Sequence, residues 1–134
     1  MIITGKYPKL RMRRSRKTDW MRRLVRENSL SSNDFILPIF VTEGKNKKIP
    51  IKTMPEVFRY SVDKISQIVD RALKLKIPMV AIFPQTNSGL KDSYGNEALN
   101  ENNLVCKSIR KIKDKYKNEI GIMTDVALDP YTSH

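Results

Sequence analysis

Cysteine and histidine are almost missing from these 134 residues: Cys106 is the single thiol and His134 the single imidazole. One cysteine closes no internal disulfide, so a reducing compartment, the cytoplasm, is the expected setting. A tetrahedral zinc site needs about four Cys or His ligands and cannot be assembled from this pair. Nucleophilic triads that rely on a positioned imidazole are excluded too, because the only histidine is the last residue. Glycine is sparse: Gly5, Gly44, Gly89, Gly95 and Gly121 are too scattered for a phosphate-cradling or dinucleotide fingerprint. Long apolar runs are lacking. The longest, FILPIFV at 35–41, is about a third of the roughly 20 residues a membrane-spanning helix needs, and Pro38 interrupts it. No membrane contact is expected. The N-terminal MIITGKYPKLRMRR has no apolar segment behind its charges, which excludes a secretory signal. Its early Tyr and Pro and its scarcity of Ser argue against an organellar transit peptide.

Acidic residues are few: 14 against 26 basic, a net charge of +12. The imbalance is concentrated. Lys6, Lys9, Arg11, Arg13, Arg14, Arg16, Lys17, Arg22, Arg23 and Arg26 face Asp19 alone. Such a stripe marks either an arm that binds nucleic-acid phosphates or one that docks on an acidic neighbouring subunit. A composition 40% hydrophobic and 30% charged supports a core and excludes a wholly disordered chain, and the length suits one domain.

Residues 1–17 lack apolar periodicity and read as an extended arm. Thr18 or Asp19 can cap a short helix to about Asn28, with Trp20, Met21, Leu24 and Val25 on one face. A turn at 31–33 leads into a buried strand at 35–41. The charged, Pro-containing stretch 43–55 reads as a surface excursion. From Ser61, its expected N-cap, an amphipathic helix runs to about Lys76, where Pro78 follows. MVAIF at 79–83 is a second strand. A polar segment, QTNSGLKDSYGNEALN, is too long for a plain turn and reads as a functional loop or an insertion. A second amphipathic helix covers about 103–117, and IGIMTDVALD at 120–129 is a third strand ending in an Asp129-Pro130 turn. Apolar strands alternating with amphipathic helices predict right-handed βαβ crossovers and a parallel α/β sheet. Three parallel strands without a closing helix are a small sheet, whereas a (β/α)8 barrel needs about 250 residues. The expected architecture is therefore the N-terminal part of a TIM barrel. Residues 1–30 form a basic arm with a short helix; 31–134 form the first three strands and two helices.

Three stretches in order resemble the porphobilinogen synthase family, also called delta-aminolevulinic acid dehydratase. They are RMRR, WMRRLVREN and ILPIFV followed by EG; then IPIKTMPEVFRYSVD, IPMVAIFP and KDSYGNEA; then TDVALDPYTSH at 124–134. The resemblance implies a (β/α)8 barrel that condenses two molecules of 5-aminolevulinate to porphobilinogen, the pyrrole unit of haem and other tetrapyrroles. It implies two Schiff-base lysines on later strands, matched by none of the 16 lysines here. The family's substrate-carboxylate residues also fall on the later strands, so the chain alone is expected to be inactive. Asp125 matches a family aspartate facing the reacting substrates, in a supporting catalytic role. In zinc-type members the positions of Ala127 and Asp129 are cysteines. Alanine ligates nothing and aspartate offers a hard oxygen, as in the aspartate-type members. That pattern implies Asp129 as a metal ligand, magnesium with or without a monovalent cation, and no active-site zinc. The family also implies a cytoplasmic homo-oligomer, an octamer or hexamer, exchanging its N-terminal arms.

Plainer readings stand beside these. Asp125 can bond the next loop's backbone, and Asp129 before Pro130 is a good turn former. Cys106 reads as a small buried apolar residue, the Trp20–Leu24 stripe as packing, and Lys91 with Asp92 as a solvated loop pair near the barrel mouth. The alternative function is a small basic α/β nucleic-acid-binding domain. Against it, the arm is not interleaved with aromatics, and the strands lack the exposed aromatic pattern of common RNA-binding sheets.

Overall fold

A computed structural model of the chain describes residues 5–133. Residues 1–4 of the expected arm and His134 lie outside the described residues. Internal contacts separate into two units, Met1–Leu30 and Ser31–His134.

In the first unit a single 3-10 turn, Arg14–Arg16, precedes helix α1, Asp19–Leu24. The helix is shorter than expected. Thr18 precedes it without a side-chain cap bond, and Arg22 and Arg23 pair with Asp19 at 3.5 and 3.2 Å on an exposed face, where ion pairs add little. Trp20 and Leu24, expected to pack, are 58% and 78% exposed.

The second unit opens on a 3-10 turn at Ser32–Asp34, closed by a capping box between Ser31 and Asp34. Strand β1, Ile36–Thr42, follows. Three strands were expected, but among the described residues the sheet has five, in the order β2-β3-β1-β4-β5. The additional pair is β2, Lys48–Pro50, and β3, Phe58–Ser61. Strand β3 runs parallel to β1 and β2 returns antiparallel along β3. The supposed surface excursion therefore extends the sheet. Lys48 stays exposed, and its ammonium lies over the Phe58 ring at 4.5 Å, a cation–π contact. Strand β3 reaches only Phe40, Val41 and Thr42 of β1. Pro38 thus sits where β1 is paired on one side alone, a position that tolerates a missing N–H.

Helix α2, Ser66–Lys74, starts after a 3-10 turn at Val62–Lys64, later than expected. Ser61 does not cap it. Its hydroxyl instead accepts the Lys47 amide at 2.9 Å, tying the β1–β2 loop to the end of β3. Strand β4, Met79–Gln85, pairs with β1 along its whole length, and β5, Gly121–Thr124, pairs with β4. Helix α3, Leu104–Tyr116, is capped by Asn103, whose Oδ1 accepts the Cys106 amide at 2.8 Å.

Alternation along the strands separates two faces. Ile39, Val41, Val80 and Ile82 form a core with Ile65, Val69 and Ala72 near and along α2, and with Leu104, Ile112 and Tyr116 of α3. The Tyr116 hydroxyl donates to Asp70 at 2.6 Å and accepts from Lys115 at 2.9 Å, fastening α3 to α2. Cys106 is only half-buried, so it is not the core residue expected. Within the second unit, α2 and α3 pack on the core face of the sheet, and the opposite face carries neither. There Phe40 meets Phe83 at 5.8 Å between ring centroids, and Phe83 and Met123 are 38% and 43% exposed.

Candidate active site

Strands β1, β3, β4 and β5 are mutually parallel, so their C-terminal ends gather along one edge. In parallel α/β folds, side chains at that edge are placed to act on ligands. Thr42, Ser61, Gln85 and Thr124 end the four strands.

Asp125 follows Thr124 directly. It is exposed, and with Ala81, Phe83 and Met123 it lines a small cleft of about 200 Å³ on the uncovered side of the sheet. The expected third strand stops at Thr124, five residues early, because pairing with β4 ends at Ile82. Beyond it the chain turns away: Leu128 accepts the amides of Tyr131 and Thr132 at 2.8 and 3.1 Å. Asp129 sits exposed in that turn and does not line the Asp125 cleft. Among the described residues no group of three His, Cys, Asp or Glu side chains converges as a metal cage. Magnesium needs no such cage, since it keeps several waters and takes one or two carboxylates. Asp129 offers a single carboxylate oxygen donor, and Ala127, two residues before it, offers none.

The turn is held from the neighbouring loop, and here the sequence reading missed a residue. Asp92, half-exposed in that loop, forms no ion pair with Lys91 among the described residues. Its Oδ1 accepts the amides of Tyr94 and Asn96 at 2.9 and 3.2 Å, and its Oδ2 accepts the Asn96 side-chain amide at 2.9 Å. Its backbone pairs across to the turn, Asp92 N to Tyr131 O at 3.3 Å and Ser133 N to Asp92 O at 2.9 Å. Gly95, buried at φ +68°, closes the joint: a Cβ there would stand 3.4 Å from Thr132 Cγ2 and 3.8 Å from Tyr131 Cβ. The signal was present as Asp-Ser-Tyr-Gly, an Asx-turn sequence ending in a residue suited to the left-handed region.

The Asn96 amide, then its side chain, hold the Asp92 carboxyl below the ordinary carboxylate value. A lowered native pKa gives stability that is present above the unfolded value near 3.9 and lost as pH falls through the native value. Loop and turn should therefore loosen together only in acid, below about pH 4. Asp92→Ala should produce the same loosening at neutral pH, read as faster amide exchange at Tyr94, Asn96 and Ser133 with α3 unchanged. Unaltered exchange would remove Asp92 from this role.

Comparison with known proteins places the geometry. The profile of the family described as "Delta-aminolevulinic acid dehydratase" matches residues 9–134. A delta-aminolevulinic acid dehydratase of Bradyrhizobium diazoefficiens is 51% identical over 125 residues, which cover 93% of this chain and 35% of that protein. One from Chlamydia pneumoniae is 40% identical over 124 residues, 92% of this chain and 37% of that protein. The crystal structure of delta-aminolevulinic acid dehydratase (porphobilinogen synthase) from Toxoplasma gondii ME49, in complex with the reaction product porphobilinogen, superposes with a TM-score of 0.81 at 32% identity. That match covers 92% of this chain and 35% of the other. The chain thus spans little more than a third of the length of these relatives. The architecture expected from the sequence, the N-terminal part of a TIM barrel, is the one this likeness shows.

Proposed function

The chain belongs to the delta-aminolevulinic acid dehydratase family, and on that premise we propose that it forms the N-terminal part of a porphobilinogen synthase. The whole enzyme would condense two molecules of 5-aminolevulinate to porphobilinogen in haem and tetrapyrrole biosynthesis. One observation carries the reading: the family profile matches residues 9–134. The sheet is consistent with it, having one face packed by helices and the other left as a barrel interior would be.

Asp125 would serve the reacting substrates. At the C-terminal end of β5, on the side of Phe83 and Met123, its carboxylate can hold a substrate ammonium or carry a proton at Oδ. Low-dielectric surroundings would strengthen either interaction once the uncovered face is closed. Asp129 would give one carboxylate oxygen to a magnesium ion, with or without a monovalent cation nearby. The ion, when bound, would supply positive charge beside the site. The basic arm would join subunits of a cytoplasmic homo-oligomer, and no nucleic acid enters this reading.

Schiff-base chemistry needs lysines that this chain does not match. Borohydride reduction of the chain with 5-aminolevulinate should trap no stoichiometric adduct by mass spectrometry. A single trapped lysine would overturn the assignment of that chemistry to later strands. Replacing the matching segment of the Bradyrhizobium diazoefficiens relative with residues 9–134 should retain porphobilinogen formation. A folded chimera without activity would reject the functional reading.

A further inference from the structure

We propose that one edge of β1 serves two strands in series. The β2–β3 hairpin holds its C-terminal half, and the strand that closes the barrel, carried by the later part of a longer polypeptide, pairs along Ile36–Ile39 and packs its helix-side residues into the groove beside them. The inference rests on the partial-barrel reading and says where, and over how little of β1, the barrel is sealed.

Strand β4 pairs with β1 from Ile36 to Thr42, whereas β3 reaches only Phe40, Val41 and Thr42. No other backbone bond among the described residues reaches Ile36–Ile39 from the β3 side. The unpaired stretch borders a groove of about 320 Å³, walled by Leu37, Phe58, Ile68 and Leu75. Tyr60 stands opposite Val41, which with Ile39 belongs to the core under α2 and α3. Alternation therefore sets Leu37, Phe58 and Tyr60 on that same side of the sheet. The groove lies between the free edge of β1 and α2, where the helix-side residues of an added strand would go. Leu75, the residue after α2, is 51% exposed there and still lacks a cover.

Three observations choose the occupant. A closed barrel joins its last strand to its first, and β1 is the first strand in chain order. The relatives have the length to supply the partner, since this chain covers 35% of the Bradyrhizobium diazoefficiens protein. The free edge of β2 is a poor substitute: it has three residues, runs antiparallel to β3, and carries exposed Lys48 and Pro50, which has no N–H. Such features blunt an edge against further pairing. Pro38 limits backbone pairing within Ile36–Ile39 too, so the seam gains most from apolar side chains buried in the groove.

Labelling with a bulky maleimide, located by peptide mass, tests this in the chain alone and in the chimera that carries residues 9–134. Leu37→Cys and Leu75→Cys report the groove, and Phe83→Cys the uncovered face. Leu75→Cys alters a half-exposed side chain, so it keeps the test open should Leu37→Cys disturb folding. Both groove cysteines should react readily in the chain alone. In the chimera they should react about a hundredfold or more slowly, because only local opening of the seam exposes them, and Phe83→Cys should slow as well. Hydrogen exchange across 58–61 should be no faster in the chimera, since the hairpin keeps its place on β1. Slow labelling at Phe83→Cys with groove cysteines as reactive as in the chain alone would overturn the inference and leave the partial barrel standing. Rapid labelling at all three positions would overturn both. Faster exchange across 58–61 would mean that the closing strand takes the whole edge and displaces the hairpin, which also overturns it.

Discussion

Asp125→Asn, introduced into the chimera that carries residues 9–134 on the remaining strands of the Bradyrhizobium relative, is expected to lower porphobilinogen turnover about a hundredfold or more. General acid–base groups contribute roughly 10²–10⁴ in rate, and asparagine keeps the shape while removing both the charge and the proton site. The position supports a loss in kcat more than in KM. Asp125 follows the last paired residue of β5 and lines the cleft with Ala81, Phe83 and Met123. Its backbone is therefore set by the sheet while its carboxylate is free to meet a ligand. Asp129→Asn should behave differently: it lies in the following turn, outside that cleft, and its loss should raise the magnesium needed for half-maximal rate. Steady-state kinetics with a colorimetric porphobilinogen assay separates the two. A less than threefold change in kcat for Asp125→Asn would reduce it to a strand-end residue that bonds its own loop.

Much of this frame was legible in the sequence. Continuous apolar runs placed β1, β4 and the start of β5, and amphipathic spacing placed α2 and α3, because such patterns leave a chain few other ways to bury them. What escaped was short. Strands β2 and β3 have three and four residues, below the window in which a period-two pattern stands out, and Lys48 and Pro50 disguise the first. The end of β5 was misplaced because Val126 and Leu128 prolong the apolar alternation, although they are 93% and 54% exposed. Pairing with β4 stops at Thr124, and the turn's bonds to Asp92 take over. Ser61 was misread for a related reason. Serine before a helix suggests a cap, yet here the Lys47 amide is the nearer donor, and a loop 14 residues back is invisible to local reasoning. For the site, Asp125 and Asp129 were named from family likeness alone, and residue type could not say that they occupy different places.

Neighbouring residues of β4 supply the sharpest test of the partial-barrel reading, because they should respond oppositely to the same kind of change. Ile82 points into the core and is 1% exposed, whereas Phe83 points to the uncovered face and is 38% exposed. In the chain by itself, Ile82→Ala should cost about 2–5 kcal/mol, a large part of the roughly 5–15 kcal/mol that stabilises an ordinary domain. Phe83→Ser should cost about 1 kcal/mol, the scale of its one aromatic contact with Phe40. It should also lower binding of a hydrophobic dye, which the open face of Phe40, Phe83 and Met123 is expected to attract. Transferred to the chimera, the asymmetry should vanish. With later strands closing the barrel, Phe83 becomes an interior side chain, its truncation should cost about 3–5 kcal/mol, and dye binding should already be low before any substitution. Urea unfolding of the four variants reads the result. If Phe83→Ser is as mild in the chimera as in the chain alone, that face is not a barrel interior, and the sheet must be covered in some other way.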